Sequence, residues 1–187
     1  LVALKPKAMS FTEAAGIPIV FLTAEYALNH LGHMQKGSKV LIHAAAGGVG
    51  MAAIQLAQRA GAEVYATASP PKWDVLRQMG VEHLYNSRTL AFAEQILADT
   101  GGQGVNIVLN SLTGEGFMEK NLAVLAPGGH FLELAKRDIW QADAVHSSRA
   151  DIHYHFVDLI TVAQAQPALI NTLLATLMAH FADGALH

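Results

Sequence analysis

The sequence predicts an α/β protein, a doubly wound parallel sheet with helices on both faces, and three observations carry that expectation. From Lys39 onward, apolar runs of strand length alternate with stretches of helix length, the order that βαβ units impose. The run Val40-Leu41-Ile42-His43-Ala44-Ala45-Ala46-Gly47-Gly48-Val49-Gly50 passes from an apolar strand through a glycine turn into an alanine-rich helix. With 187 residues and 52% apolar content, the chain is long enough to bury one such core.

Each element follows in order. Ser10-Phe11-Thr12-Glu13 has the capping-box pattern, and the spacing of Phe21, Ala24, Leu28 and Leu31 predicts a helix ending near Gly32. The alternation then reads as strand 39–45, helix 49–60, strand 63–68, helix 71–79, short strand 82–85, helix 89–99, strand 105–109, helix 113–125 and strand 129–135. Gly61, Gly80 and Gly101-Gly102 fall just past helix ends, where a left-handed residue closes the last turn, and Pro127-Gly128-Gly129 turns the chain into strand 129–135. An extended piece from Asp151 to Val157 and a helix over 167–182 complete a single domain without repeats or linkers.

Composition excludes several classes. Twelve Lys and Arg against 15 Asp and Glu give a net charge of −3, which offers no basic field to a nucleic-acid backbone. The absence of cysteine rules out disulfides and thiolate metal sites and fits a reducing cytoplasm. No apolar run approaches a membrane span, Leu1 to Pro6 carry no signal-peptide pattern, and the missing initiator Met suggests an excised fragment. Of the ten histidines, His153 and His155 share one face of an extended segment with His146 nearby, yet no third ligand is visible, so no metal is expected. The Phe and Met residues stand at core-like periods and read as packing.

The glycine turn is the chemical signal. Ala45, Gly47 and Gly50 give the spacing A-x-G-x-x-G of a Rossmann dinucleotide site, with alanine in the first glycine's place, tolerable there if its φ stays negative. A diphosphate approaches a main chain only where no Cβ intervenes, so Ala46, Gly47, Gly48, Val49 and Gly50 are the expected pyrophosphate cradle. An NAD site wants an acidic residue about 20 positions on to bind the ribose hydroxyls. Here the second strand ends Ala66-Thr67-Ala68-Ser69-Pro70-Pro71-Lys72, with no carboxylate. Thr67, Ser69, Lys72 and, on the next loop, Arg88 would instead receive a 2′-phosphate, which favours NADP(H). A solvated Lys72 in a first helical turn is the plain alternative.

These runs, with Lys72-Trp73, Asn86-Ser87-Arg88-Thr89, Val108-Leu109-Asn110-Ser111-Leu112 and Leu125-Ala126-Pro127-Gly128-Gly129 followed by Phe131-Leu132-Glu133, resemble the enoyl reductase domain of modular polyketide synthases. That family lies in the medium-chain dehydrogenase/reductase superfamily and is similar to the animal fatty acid synthase enoyl reductase. The resemblance implies that NADPH delivers hydride to the β-carbon of a 2-enoyl thioester on an acyl carrier protein, that the α-carbon is then protonated, and that zinc is not used. Lys136 matches the family's proposed proton donor, although the family commonly has Gly-Lys where this chain has Ala135-Lys136; Lys136-Arg137-Asp138 reads equally as a solvated turn. Asp158 matches the acidic partner, as an ion pair to Lys136 or as a helix cap. Thr23 matches a position near the phosphates and Asn110 one near the nicotinamide ribose, while Leu134 joins the cofactor-binding set; a helix-surface hydroxyl and an ordinary turn former are the plain readings of the first two.

The resemblance also implies neighbouring synthase domains and a separate substrate-binding domain, toward which segments 1–17 and 183–187 would lead. Other readings stand beside it: a zinc-free quinone or enone reductase acting alone, a synthase variant that closes a cyclopropane ring, and a nucleotide-binding module without turnover. A methyltransferase would want the acid missing after the second strand.

Overall fold

The computed structural model describes residues 2–137 and 139–187; Leu1 and Asp138, the last residue of the expected 136–138 turn, lie outside the described residues. Six parallel strands form one sheet in the order β3-β2-β1-β4-β5-β6, with β1 Lys39–Ile42, β2 Glu63–Ala68, β3 His83–Asn86, β4 Val105–Asn110, β5 Leu125–Glu133 and β6 His153–Phe156. The order reverses between β1 and β4, so the crevice beyond their carboxyl ends is the place where this architecture holds a ligand. No helix among the described residues is long and apolar enough to cross a membrane.

Alternate side chains of the strands go to opposite faces, and both faces are covered, which is why the strands read as continuous apolar runs. Val40 and Ile42 of β1 join a core with α2 (Ile17–Glu25), α3 (Gly48–Ala60) and α9 (Pro167–Ala182), where Phe21 meets Phe181 edge to face with 4.8 Å between ring centroids. Leu41 joins the other core, with Phe92 and Ile96 of α5 (Phe92–Asp99), Leu122 of α6 (Phe117–Val124) and Val145 of α7 (Ala142–Ser148). Each such large apolar side chain contributes on the order of 2 kcal/mol by leaving water.

The boundaries moved where backbone chemistry intervened. The expected helix up to Gly32 is interrupted: α1 (Phe11–Ala15) has the Ser10/Glu13 capping box and ends at Gly16, α2 restarts with Pro18 in its first turn, and Tyr26–Leu31 is a π-helical turn closed by Gly32 N–H to Ala27 C=O at 2.8 Å. Strand 39–45 ends at Ile42 because Ala44 turns to φ 47°. The two prolines after Ser69 give a 3₁₀ turn, Pro70–Lys72, before α4 (Trp73–Gln78). Gly114 and Gly116, at φ 124° and 80°, delay α6 to Phe117. Residues 125–133 are assigned to β5 throughout, with its register against β4 shifting between Val105 and Ile107, rather than a strand starting at 129. Helices α7 and α8 (Leu159–Ala165) were absent from the expectation.

Candidate functional site

The glycine turn sits at the carboxyl end of β1. Gly47 is the N-cap of α3 with φ −91° and no side chain caps the helix, so the amides of its first turn are open to an anion. The turn closes by Gly47 N–H to Ala44 C=O at 2.8 Å, and the positive φ falls on Ala44, leaving Ala45 outside the left-handed region. The glycines differ in what they make room for. A Cβ on Gly50 would stand 2.5 Å from Ala45 O, and one on Gly48 would stand 2.9 Å from Val20 Cγ1, so these two allow α3 to pack on the strand and on α2. A Cβ on Gly47 would meet only Ala44 O, at 3.2 Å, and Gly47 is exposed. The cradle therefore fits a diphosphate: a bare, exposed main chain at the start of a helix.

At the end of β2, Ser69 is half-buried and Lys72 exposed, while Arg88 lies exposed just past β3. The strands are in register through Ala68 and Asn86, and Ser87 N–H donates to Ala68 C=O at 3.1 Å, so these two loops are neighbours. Trp73 donates Nε1–H to the Ala68 carbonyl at 3.1 Å and fixes the start of α4 there. Thr67 is a correction. Its side chain is buried, and its hydroxyl lies 2.8 Å from His43 Nδ1. His43 Nε2 lies 2.6 Å from Asn121 Oδ1 and must donate to it, so Nδ1 accepts and takes the Thr67 proton inward, away from any 2′-phosphate.

A large groove of about 960 Å³ runs beside the glycine turn, lined by Thr23, Val49, Leu134, Lys136, Val157 and Asp158 together with apolar residues of α8 and α9. Thr23 turns its hydroxyl back to the Ile19 carbonyl at 2.6 Å. Lys136 Nζ stands 3.5 Å from Asp158 Oδ1 and 4.7 Å above the Phe156 ring. Asp158 combines the two alternatives read from the sequence: besides the ion pair, it is the N-cap of α8, accepting from Ile160 N–H at 3.3 Å and from the Thr161 hydroxyl at 2.9 Å. The Thr161 hydroxyl first, and the Lys136 ammonium after it, hold the Asp158 carboxyl below its ordinary range.

Behind the groove lies a smaller cavity of about 300 Å³ with Asn110, Glu133, Ala135 and Trp140 in its wall. Asn110 is buried, and its amide donates to both oxygens of Glu133 at 3.1 and 2.9 Å and to the Leu112 carbonyl at 3.1 Å. His43 and Asn121, which bind Thr67 and Asn110 from behind, and Glu133, in the cavity wall, are the residues that sequence reasoning missed. A carboxylate inside the apolar run Phe131-Leu132-Glu133-Leu134 was the available signal, because a buried charge must find partners.

Residues 48–177 match the family described as zinc-binding dehydrogenase. The chain is 44% identical over 187 residues to the pikromycin polyketide synthase component PikAII of Streptomyces venezuelae, covering 99% of this chain and 5% of that protein. Among solved structures, the CurK enoyl reductase superposes with a TM-score of 0.95 at 52% identity, over 98% of this chain and 55% of that one. The nucleotide-binding subdomain of the enoylreductase domain of PpsC from Mycobacterium tuberculosis gives 0.81 at 40% identity, over 91% of this chain and 96% of that one. Zinc does not fit the donor set: the chain has no cysteine, and among the described residues no three His, Cys, Asp or Glu are grouped to hold an ion.

Proposed function

This chain belongs to the zinc-binding dehydrogenase family and, within it, to the enoyl reductase domains of polyketide synthases, and from that premise we propose that it binds NADPH and reduces a 2-enoyl thioester carried by an acyl carrier protein. A nicotinamide cofactor follows from the family; the choice of NADPH rests on the missing acid after β2 and on Ser69, Lys72 and Arg88 around the two neighbouring loops. The glycine turn and Thr23 would hold the phosphates, and Asn110 and Leu134 would border the nicotinamide end.

Bound NADPH supplies the hydride that adds to the substrate β-carbon. The residues of the chain do the rest. Lys136, at the end of β5, reaches into the groove and donates to the substrate as negative charge develops on the thioester and as the α-carbon takes its proton. Asp158 holds the ammonium from the end of the adjacent strand, and with 60% of its side chain exposed Lys136 regains a proton from water. The Lys136–Asp158 pair inside the groove is the observation that carries this reading.

We infer, too, that the chain works beside further domains of a cytoplasmic synthase. It spans only 5% of PikAII and about half of the CurK enoyl reductase chain, and Val2, Leu4 and Phe11 stand more than four-fifths exposed beside or near the groove. Apolar side chains held out like this suit a surface that a substrate domain covers.

The test is calorimetric titration of the chain with NADPH and with NADH, followed by enoyl-thioester turnover in the parent domain. Preferential binding of NADPH and turnover that falls when Lys136 is replaced are the expected results. Equal affinity for both nucleotides removes the 2′-phosphate reading, and full turnover by Lys136→Ala removes the donor.

A further inference from the structure

The strand end that carries Leu134, Ala135 and Lys136 is held by a carboxylate outside the cofactor-binding set, Glu133. Glu133 is 1% exposed. Its Oε1 accepts the Ala135 backbone N–H at 2.7 Å, a bond from a side chain to the residue two ahead that curls the chain out of β5. Its two oxygens also accept the Asn110 amide, at 3.1 and 2.9 Å. Asn110 cannot turn over to relieve this, because its own Oδ1 takes Leu112 N–H at 3.1 Å and the Asn121 amide at 3.3 Å. Leu134 N–H donates to Asn110 C=O at 2.8 Å and Val157 N–H to Glu133 C=O at 2.8 Å, so the same pair of residues also ties β4, β5 and β6 together at their carboxyl ends.

We infer that Glu133 is a positioning residue: its carboxylate sets the course of the main chain at Ala135 and thereby the place of Leu134 and Lys136 against the nicotinamide end of the cofactor. The inference rests on the cofactor reading given above. A carboxylate buried at this depth is costly unless every lone pair is used, and burial does push its pKa up against the hydrogen bonds of Asn110 and Ala135. Packing alone would be served by an apolar side chain like the neighbouring Phe131 and Leu132. What the carboxylate adds is an acceptor for one chosen backbone N–H, the device by which an outer group orients an inner one.

The experiment compares two probes on the chain: NADPH, which spans the whole crevice, and 2′,5′-ADP, which lacks the nicotinamide half. Glu133→Ala removes the acceptor for Ala135 N–H, and Glu133→Gln keeps a carbonyl oxygen in its place. The expected result is a loss of roughly tenfold in NADPH affinity for Glu133→Ala, with 2′,5′-ADP within twofold of the parent, and part of the NADPH loss restored in Glu133→Gln, whose carbonyl oxygen takes the Ala135 N–H while its NH2 is set against the Asn110 amide. If Glu133→Ala does not fold, Glu133→Asp, which withdraws the carboxylate by one methylene while keeping its charge, serves in its place with the same expected split. Parallel losses for both probes, or no loss for either, overturn the positioning role while leaving the cofactor reading intact. A parent chain that is folded and binds neither probe overturns the cofactor reading itself, and the role of Glu133 with it.

Discussion

Lys136 Nζ lies 3.5 Å from Asp158 Oδ1, and the other oxygen of the same carboxylate accepts the Thr161 hydroxyl at the start of α8. One side chain thus fixes a helix end and an ammonium across two adjacent strand ends. The two duties separate by substitution. Asp158→Asn keeps an oxygen for the cap and loses the charge, whereas Asp158→Ala loses both. Thermal melting should leave the Asn variant near the parent and lower the Ala variant, while enoyl-thioester turnover in the parent domain falls in both. A turnover loss that tracked melting temperature alone would make Asp158 a cap and nothing more.

The nucleotide preference should depend on exposed cations rather than on the buried hydroxyl. Lys72 and Arg88 flank neighbouring loops in solvent, while Thr67 is committed to His43. Lys72→Glu is expected to weaken NADPH binding by about tenfold, the scale of one charge-assisted contact, and to leave NADH nearly unchanged. The effect should shrink as salt is raised, since both cations are exposed. Calorimetry with each nucleotide at two ionic strengths checks it.

The alternation of runs made the sheet legible, because strands buried on both faces are apolar throughout and cannot be mistaken for surface. The glycine turn was legible for a local reason as well: the spacing of Gly47 and Gly50 reflects main-chain approach, which the sequence states directly. What could not be read was pairing at a distance. Thr67 and His43 are 24 residues apart and Asn110 and Glu133 are 23 apart, and nothing in either local run says that they meet. The missed α7 and α8 are short helices of seven residues each, held by Val145 in the core and by the Asp158 cap rather than by strong periodicity. The broken first helix followed from Gly16 and Pro18, whose effect outweighed the regular spacing of Phe21, Ala24 and Leu28.

The two glycines of the turn should fail in different ways. Gly50→Ala drives a methyl to 2.5 Å from Ala45 O and 2.6 Å from Ala45 Cα, atoms of the main chain that cannot rotate aside. A destabilisation of about 1–3 kcal/mol or more is expected, the range for overpacking, and it should appear as a lower denaturation midpoint in urea. Gly47→Ala meets only Ala44 O at 3.2 Å, at a φ that alanine adopts. It should therefore fold and lose nucleotide affinity, because its methyl projects where a diphosphate would approach.

Stability should fall in acid through the buried imidazole that links the sheet to α6. Burial pulls the His43 pKa from its ordinary 6.5 down to about 4, against the opposing hydrogen bond to Asn121. The neutral ring is the one that fits, with Nε2–H donating to Asn121 and Nδ1 accepting from Thr67. A folded-state pKa below the unfolded one means that the unfolded chain takes up the proton first, so this stabilisation is complete above about pH 6.5 and is lost as pH falls toward about 4. The loss from His43 is of the order of 3 kcal/mol. His155, also lowered to about 4 by burial beside His130 and His153, adds to it in the same direction. Urea denaturation at stepped pH should show the midpoint dropping across this window. In His43→Gln, whose amide nitrogen can still donate to Asn121, the drop should be shallower by the share of one proton, and an unchanged slope would mean that His43 does not titrate with unfolding.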